Sequence, residues 1–289
     1  MFNKIILSLI VLCLSFTDQP RPNYKFTKPL TGLTMNTQHP LNKGLVGYWI
    51  FNEKAGINVY DITQNKINGT ANNFALTGNT SNWVGSPMGG GLHFDGSDDF
   101  VNIGTLIHQY VDYDRPFSTS FWFTLTTYAS SYYGLMGNVS QTGTAYDDVE
   151  FRVDFAGDRF DFVFQSAASI NVQDGYRWAT GDKNIAINKL YNLVYTYDGL
   201  NTTTSTKIYL NGQEEVVSLL TNLGTITRSV YSVAPTQPTY IGARNWSGND
   251  FRFPGLIDEV RIYNRVLNAM EVQTLYTNPH IDILNNKLY

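Results

Sequence analysis

From Leu45 onward the chain repeats one texture: short runs of aromatic or β-branched residues alternating with polar ones, each closed by Gly, Asn or Asp. Alternation with a period of two places the apolar side chains on one face of an extended segment, the pattern of a half-buried β-strand. The runs are GLVGYWIFN (44–52), GGLHFDG (90–96), FVNIG (100–104), STSFWFTLTT (118–127), VEFRVDF (149–155), RFDFVFQS (159–166), LYNLVYTYDG (190–199), TKIYLNG (206–212), PTYIGA (238–243) and GLIDEVRIYN (255–264). Ala156-Gly157-Asp158 reads as a hairpin connection, and Asn211-Gly212 is a strong turn signal within another strand pair. One helix is expected near the C-terminus. Asn268 can cap it, Glu271 completes a capping box, and Val272 and Leu275 share one face. So many strands without an intervening helical pattern predict an all-β fold, an antiparallel two-sheet jelly-roll sandwich with one short C-terminal helix.

The chain divides into four segments. Residues 1–17 hold one Lys followed by an apolar run of roughly a dozen residues, too short for a stable membrane span and suited to a signal-peptide core. The expected localisation is therefore extracellular or secreted; the competing reading is an apolar N-terminal arm used in assembly. Residues 18–40 are rich in Pro, Asn and Thr and read as an extended linker or arm. Residues 41–279 form the jelly-roll domain, and 280–289 a peripheral tail.

Composition narrows the chemistry. At 289 residues and 43% hydrophobic the chain can bury one sizeable core, and 15% charged residues disfavour long surface helices. A net charge of −4 with no basic stripe argues against a nucleic-acid partner. A single cysteine, Cys13, excludes an internal disulfide and a Cys-built metal centre. His39, His93, His108 and His280 lack metal-ligand spacing, and Gly89-Gly90-Gly91 is not followed by the Lys and helix of a phosphate loop.

Taken in order, GLVGYWIFNEKAG, VYDITQNKINGT, GGGLHFDGSDDFVNIG, STSFWFTL, YNLVYTYDG with KIYLNG, and GLIDEVRIYNRVLNAMEVQTLY resemble a laminin-G-like domain of the concanavalin A-like lectin/glucanase superfamily, over about residues 41–279. The resemblance implies the sandwich already expected. Its aromatic positions, Trp49, Phe51, Phe94, Phe121, Phe123, Phe151, Phe155, Tyr195 and Tyr209, would line the faces of the strands. The opening HPLNKGLVGYWIFNE is also similar to domains of bacteriophage structural proteins.

Enzymes of this superfamily carry alternating Glu and Asp on one strand. Here Asp148, Glu150, Arg152 and Asp154 share a face, but Arg152 stands in the middle, where it would depress the carboxylate pKa values that a general acid needs raised. Cross-strand ion pairing is the preferred reading, and no catalytic residue is assigned. The resemblance also implies one structural calcium ion, with Glu53, Asp95 and Asp258 at the matching acidic positions and Asp98 and Asp99 beside them. Asp258 lies in an apolar strand and needs neutralising, by a cation, by Arg261 or by backbone donors. A salt bridge or capped turn is the alternative to calcium.

Sugar recognition uses aromatic faces beside hydrogen-bonding groups. Residues 127–133, 175–182 and 242–249 combine the two and read as loops, giving Tyr132, Tyr133, Trp178, Arg244 and Trp246 as candidate ligand-binding residues. The leading expectation is a non-catalytic binding module for a carbohydrate or protein surface. A bacteriophage virion structural or appendage protein is the second and a glycoside hydrolase the third, with a homo-oligomer or virion assembly as further partners.

Overall fold

A computed structural model of the protein describes residues 28, 34–75, 82–128, 130, 132–142, 145–169, 172–227, 237–244 and 251–284. The apolar segment 1–17, all but Lys28 of residues 18–33, and Trp246 lie outside the described residues. Strands β1 (Thr34–Met35), β2 (Leu45–Trp49), β3 (Asn58–Val59), β4 (Gly69–Asn72), β5 (Trp83–Val84), β6 (Gly91–Asp95) and β7 (Phe100–Asn102) lead to the long β8 (Phe117–Leu125). Then come β9 (Tyr132–Thr142), β10 (Ala145–Asp154), β11 (Arg159–Ser169), β12 (Val172–Thr180), β13 (Leu190–Tyr197), β14 (Thr206–Leu210), β15 (Gln213–Glu214) and β16 (Val217–Gly224). β17 (Tyr240–Ile241), β18 (Pro254–Tyr263), the helix α1 (Ala269–Thr277) and β19 (Ile283–Leu284) complete the order.

Two main antiparallel sheets result, beside a separate two-stranded β1–β19 pair. The larger runs β16-β12-β11-β10-β9-β17-β7-β4-β3; the smaller runs β15-β14-β13-β8-β18-β6-β5, with β2 also paired to β18. The expected sandwich is therefore present, and so is its helix: Asn268 accepts from the Glu271 N–H at 3.0 Å while Glu271 accepts from the Asn268 N–H at 2.9 Å. Such a reciprocal cap satisfies donors that the first helical turn leaves open. Asn211 and Gly212, at φ 51° and 81°, form the tight turn between β14 and β15, whereas β13 and β14 are joined through Asp198–Ser205.

The period-two pattern explains the core. On β11, Phe160, Phe162 and Phe164 point inward and are fully buried, and on β10 Val149, Phe151 and Val153 do the same. Phe117, Phe121 and Phe123 of β8 meet them from the smaller sheet. Phe151 and Phe162, directly paired in register, stack with centroids 4.8 Å apart, and Phe117 sets its edge against Phe162 and Phe164 at 5.9 Å. Each such ring contributes roughly 1.5–3 kcal/mol of burial. Trp49, Phe51, Phe94 and Tyr195 join this core as expected; Phe155 is only half-buried at its edge, and Tyr209 packs with α1 in a second cluster.

Two expectations require correction. Most aromatics of residues 127–133 and 175–182 are not in loops: Tyr132 and Tyr133 open β9 and Trp178 lies inside β12, which leaves Tyr128 exposed in a loop. Nor are residues 280–284 peripheral. β19 pairs with β1, the buried Asp282 bonds to Arg261 at 3.3 Å, and the half-buried His280 bonds to Glu259 at 2.9 Å.

Phe162 touches rings from both sheets, so Phe162→Ala should lower the free energy of unfolding by about 3–5 kcal/mol in urea titration. A loss under 1 kcal/mol would contradict its central position.

Candidate functional site

The strands that bury the aromatic core carry charge on their other face. Glu150, Arg152 and Asp154 of β10, Asp161 and Arg159 of β11, and Arg177 of β12 all lie on the outer face of the larger sheet. Register brings Arg152 opposite Asp161 and Asp154 opposite Arg159. Arg152 donates to Glu150 at 2.8 Å and to Asp161 at 3.2 Å; Arg177 donates to Asp161 at 2.9 Å and to Asp154 at 3.0 Å; Arg159 reaches Asp154 at 2.7 Å. The cross-strand pairing read from sequence is thus what forms. Burial pushes the Asp161 carboxyl up, and Arg152 and Arg177 pull against it.

Exposure divides these groups by sign. The side chains of Glu150, Asp154 and Asp161 are at most 2% exposed, whereas those of Arg159 and Arg177 retain 29% and 19%. The carboxylates form a sealed layer with Arg152 and Arg244, at 8% and 6%, and the groups of this cluster that reach water are Arg159 and Arg177.

Arg244 arrives from a different part of the chain. After β17 the backbone turns across β9, where Gly134 and Gly137 present no side chain. A Cβ on Gly134 would lie 2.9 Å from the Ala243 carbonyl carbon and 3.0 Å from the Arg244 nitrogen, and one on Gly137 would lie 3.1 Å from the Arg244 Cβ. This glycine floor lets Arg244 approach Glu150 to 3.5 Å. Phe251 returns over the same place, its carbonyl accepting from the Gly134 N–H at 2.7 Å. The Arg244 guanidinium lies 3.6 Å from the Phe251 ring centre, Phe251 lies 5.1 Å from Tyr132, and Arg152 stacks 4.5 Å from the Tyr132 ring. Arg177 lies 5.7 Å from the centre of the same Tyr132 ring. Tyr132 and Phe251 are half-buried and form an aromatic cap on the charged layer.

The structure therefore unites Tyr132 and Arg244, two of the five residues expected to bind ligand. It sets Tyr133 and Trp178 apart. Both face the core, at 2% and 1% exposure, and Trp178 stacks on Phe162 at 5.4 Å while its indole donates to the Thr203 carbonyl at 2.9 Å. Neither offers a ring to solvent. The alternation Tyr176-Arg177-Trp178-Ala179 already marks a strand with Arg177, not Trp178, on the outer side. Phe251 was not foreseen, because the sequence around it shows no periodicity.

The residues expected to hold calcium do not form one site. Asp95 pairs in register with Pro254 at one end of the β6–β18 ladder, and Asp258 stands four residues further along, roughly 13 Å at strand spacing. Glu53 accepts instead from the Tyr60 N–H at 2.8 Å, and burial pushes its carboxyl up. Asp258 is fully buried and engaged by Lys28, by the Ser86 hydroxyl at 2.8 Å and by the Glu259 N–H at 2.9 Å. Arg261 does not serve it, bonding to Tyr48, Pro279 and Asp282. Asp95 belongs with Asp98 and Asp99, whose carboxylates lie within 4.8 Å of one another. In that group Asp95 closes a turn by accepting from the Ser97 N–H at 2.7 Å, and Asp99 accepts from the Asp95 N–H at 2.8 Å and from Asn82 at 3.1 Å. Burial, reinforced by Asp95 and Asp98, raises the Asp99 carboxyl to about 6.

A second concavity, about 280 Å³, is lined by Met35, Thr37, Asn42, Leu45, Thr63, Gln64 and Asn65. No aromatic ring lines it, and Asn65 and Thr63 already donate to the Val46 carbonyl at 2.8 and 3.4 Å.

Two antiparallel sheets stacked on an aromatic interior, with a chemically dressed outer face, define a lectin-like sandwich of the binding type. The chain belongs to the concanavalin A-like lectin/glucanases superfamily, its Laminin_G_3 family matching residues 95–273. No curated protein sequence matches it. Among solved structures it is similar to the Trypanosoma rangeli sialidase (TM-score 0.54, 18% identity), over 82% of this chain and 33% of that one. It is also similar to domain 4 of AbnA, a GH43 extracellular arabinanase from Geobacillus stearothermophilus, in complex with arabinotriose (TM-score 0.52, 19% identity), over 80% of this chain and 98% of that domain. A third is the binding domain of Paraclostridial Mosquitocidal Protein 1 (TM-score 0.54, 15% identity), over 82% and 53%. The chain thus spans about a third of the sialidase, and these likenesses establish the fold.

The Asp99 carboxyl, near 3.8 when unperturbed, holds its proton to about 6 in the folded chain. The folded state then binds more protons than the unfolded one between these values, so this contribution to stability is present below the lower value and lost as pH rises through the upper one. Asp99→Asn should therefore gain in melting temperature relative to the wild type as pH rises from 4 to 7. A constant difference between the two proteins across that range would refute the assignment.

Proposed function

We propose that this domain is a non-catalytic carbohydrate-binding module whose ligand lies on the outer face of the larger sheet, against Tyr132 and Phe251. The observation that carries the reading is the pairing of half-buried aromatic rings with guanidinium groups, above carboxylates that solvent does not reach. An aromatic face accepts the C–H side of a pyranose or furanose ring, and guanidinium N–H groups donate to hydroxyl and carboxylate oxygens. Because the accessible polar groups are donors, a sugar carrying a carboxylate suits the face better than a neutral one. The fold supports the same reading, as does its likeness to an arabinanase domain solved with arabinotriose.

Glu150 does not suit catalysis. It is fully buried and bonded to Arg152 at 2.8 Å, with Arg244 at 3.5 Å, so it has no access to a glycosidic oxygen.

Affinity electrophoresis or calorimetry against neutral and uronic-acid polysaccharides tests the proposal. Binding to at least one acidic polymer is expected, weakened about tenfold or more by Tyr132→Ala and by Arg177→Ala, a loss of about 1.4 kcal/mol each. Absence of binding across the panel, or equal affinity in both variants, would overturn it.

A further inference from the structure

The central strand of the smaller sheet is interrupted at one point. β18 pairs with β6 through Pro254–Ile257 and with β2 through Val260–Tyr263, and its register on β8 shifts between Asp258 and Arg261. Glu259, at φ 50°, is the residue in the left-handed region within this irregularity. One neighbour therefore ends and the other begins at Asp258–Glu259. The strand-end carbonyls of Ile50, just past β2, and Gly90, just before β6, converge there on the Asp258 carboxylate.

Into this gap comes Lys28. Its side chain is 1% exposed, and Nζ donates to the Ile50 carbonyl, to the Gly90 carbonyl at 2.6 Å and to Asp258 Oδ1, with Glu259 Oε1 at 3.5 Å. An ammonium has three protons, and three oxygens receive them. The seat is shaped for it. A Cβ on Gly89 would lie 2.8 Å from the Lys28 nitrogen and 3.0 Å from its Cγ, and Gly89 has φ 118°, a conformation that side chains disfavour. The glycine run at 89–91, which fits no phosphate loop, thus has a use as the floor beneath an incoming lysine.

Carbonyl and carboxylate oxygens without nitrogen or sulfur are the donor set of a hard divalent cation. We propose that Lys28 is the resident cation of this oxygen cage: the N-terminal arm supplies, covalently attached, the positive charge that a calcium ion would otherwise bring to Asp258. Lys28 thereby bridges the seam between β2 and β6 and supplies the charge of this site without metal.

Melting temperatures of the full-length protein test this. The wild type should be unmoved by EDTA or by millimolar calcium. Lys28→Met leaves a buried carboxylate without its partner and should melt lower, on the order of 10 °C. Adding Asp258→Asn to Lys28→Met removes the orphaned charge and should recover most of that loss, which also covers the case in which the single variant fails to fold. Lys28→Ala opens room at the cage and should melt higher when millimolar calcium is added. A wild type that loses several degrees in EDTA, a Lys28→Ala protein as stable as the wild type, or a destabilised Lys28→Ala that ignores calcium would each overturn the proposal.

Discussion

The rest of the structure depends on aromatic rings meeting between two sheets. Phe117, Phe121 and Phe123 from one side, and Phe151, Phe160, Phe162 and Phe164 from the other, stack and cross at centroid spacings near 5–6 Å. Their planes fix the separation of the sheets and the register of β10 on β11, because a one-residue slip would turn every ring outward and every charge inward. The outer face inherits its order from this. Arg152 stands opposite Asp161, and Asp154 opposite Arg159, because Phe151 stands opposite Phe162.

Period-two alternation has a second consequence. Residues that do not fit the core are delivered in rows to the opposite face, and here those rows carry both signs. Cross-strand neutralisation lets the carboxylates be sealed, and burial raises Asp161 while the guanidinium groups beside it oppose that rise. Arg159 and Arg177, with long stems, reach past the carboxylates to the surface, while Arg152 and Arg244 stay buried beneath Tyr132 and Phe251. The proposed recognition face and the core therefore draw on the same strands without competing for the same side chains. The fold alone does not assign a role, since sandwiches of this kind serve many purposes; the proposed binding role rests on the dressing of the outer face.

A different logic governs the seam in the smaller sheet. Antiparallel pairing satisfies backbone carbonyls in the plane of a sheet, but where one partner strand ends and another begins, oxygens remain. Asp258 adds a charge at that place. Burial pushes its carboxyl up, and Lys28 is foremost among the groups that draw it back. On the other side of the irregularity Glu259, although equally buried, is held low by His280, Lys28 and Arg261. Residues distant in sequence are needed to balance a pair of adjacent acids, and so Lys28 and His280 become integral to the sandwich.

Much of this was legible from residue order. Ten strand runs between Leu45 and Tyr263, though not β9, β12 or β16, the helix capped by Asn268 and Glu271, and the ion pairing around Arg152 follow from local periodicity and local chemistry, because a strand's two faces and a helix's first turn are decided within a few residues. The need for a counter-charge at Asp258 was equally visible, since an isolated carboxylate among apolar neighbours is costly wherever it occurs. What tertiary structure alone decided was identity of partners. Trp178 and Arg177 differ by one position and fall on opposite faces of β12; Phe251 reaches Tyr132 because two glycines of β9 leave room for the backbone above them; Lys28 reaches Asp258 across 230 residues. Such contacts depend on where separate strands end in space, and no pattern within any one segment carries that information.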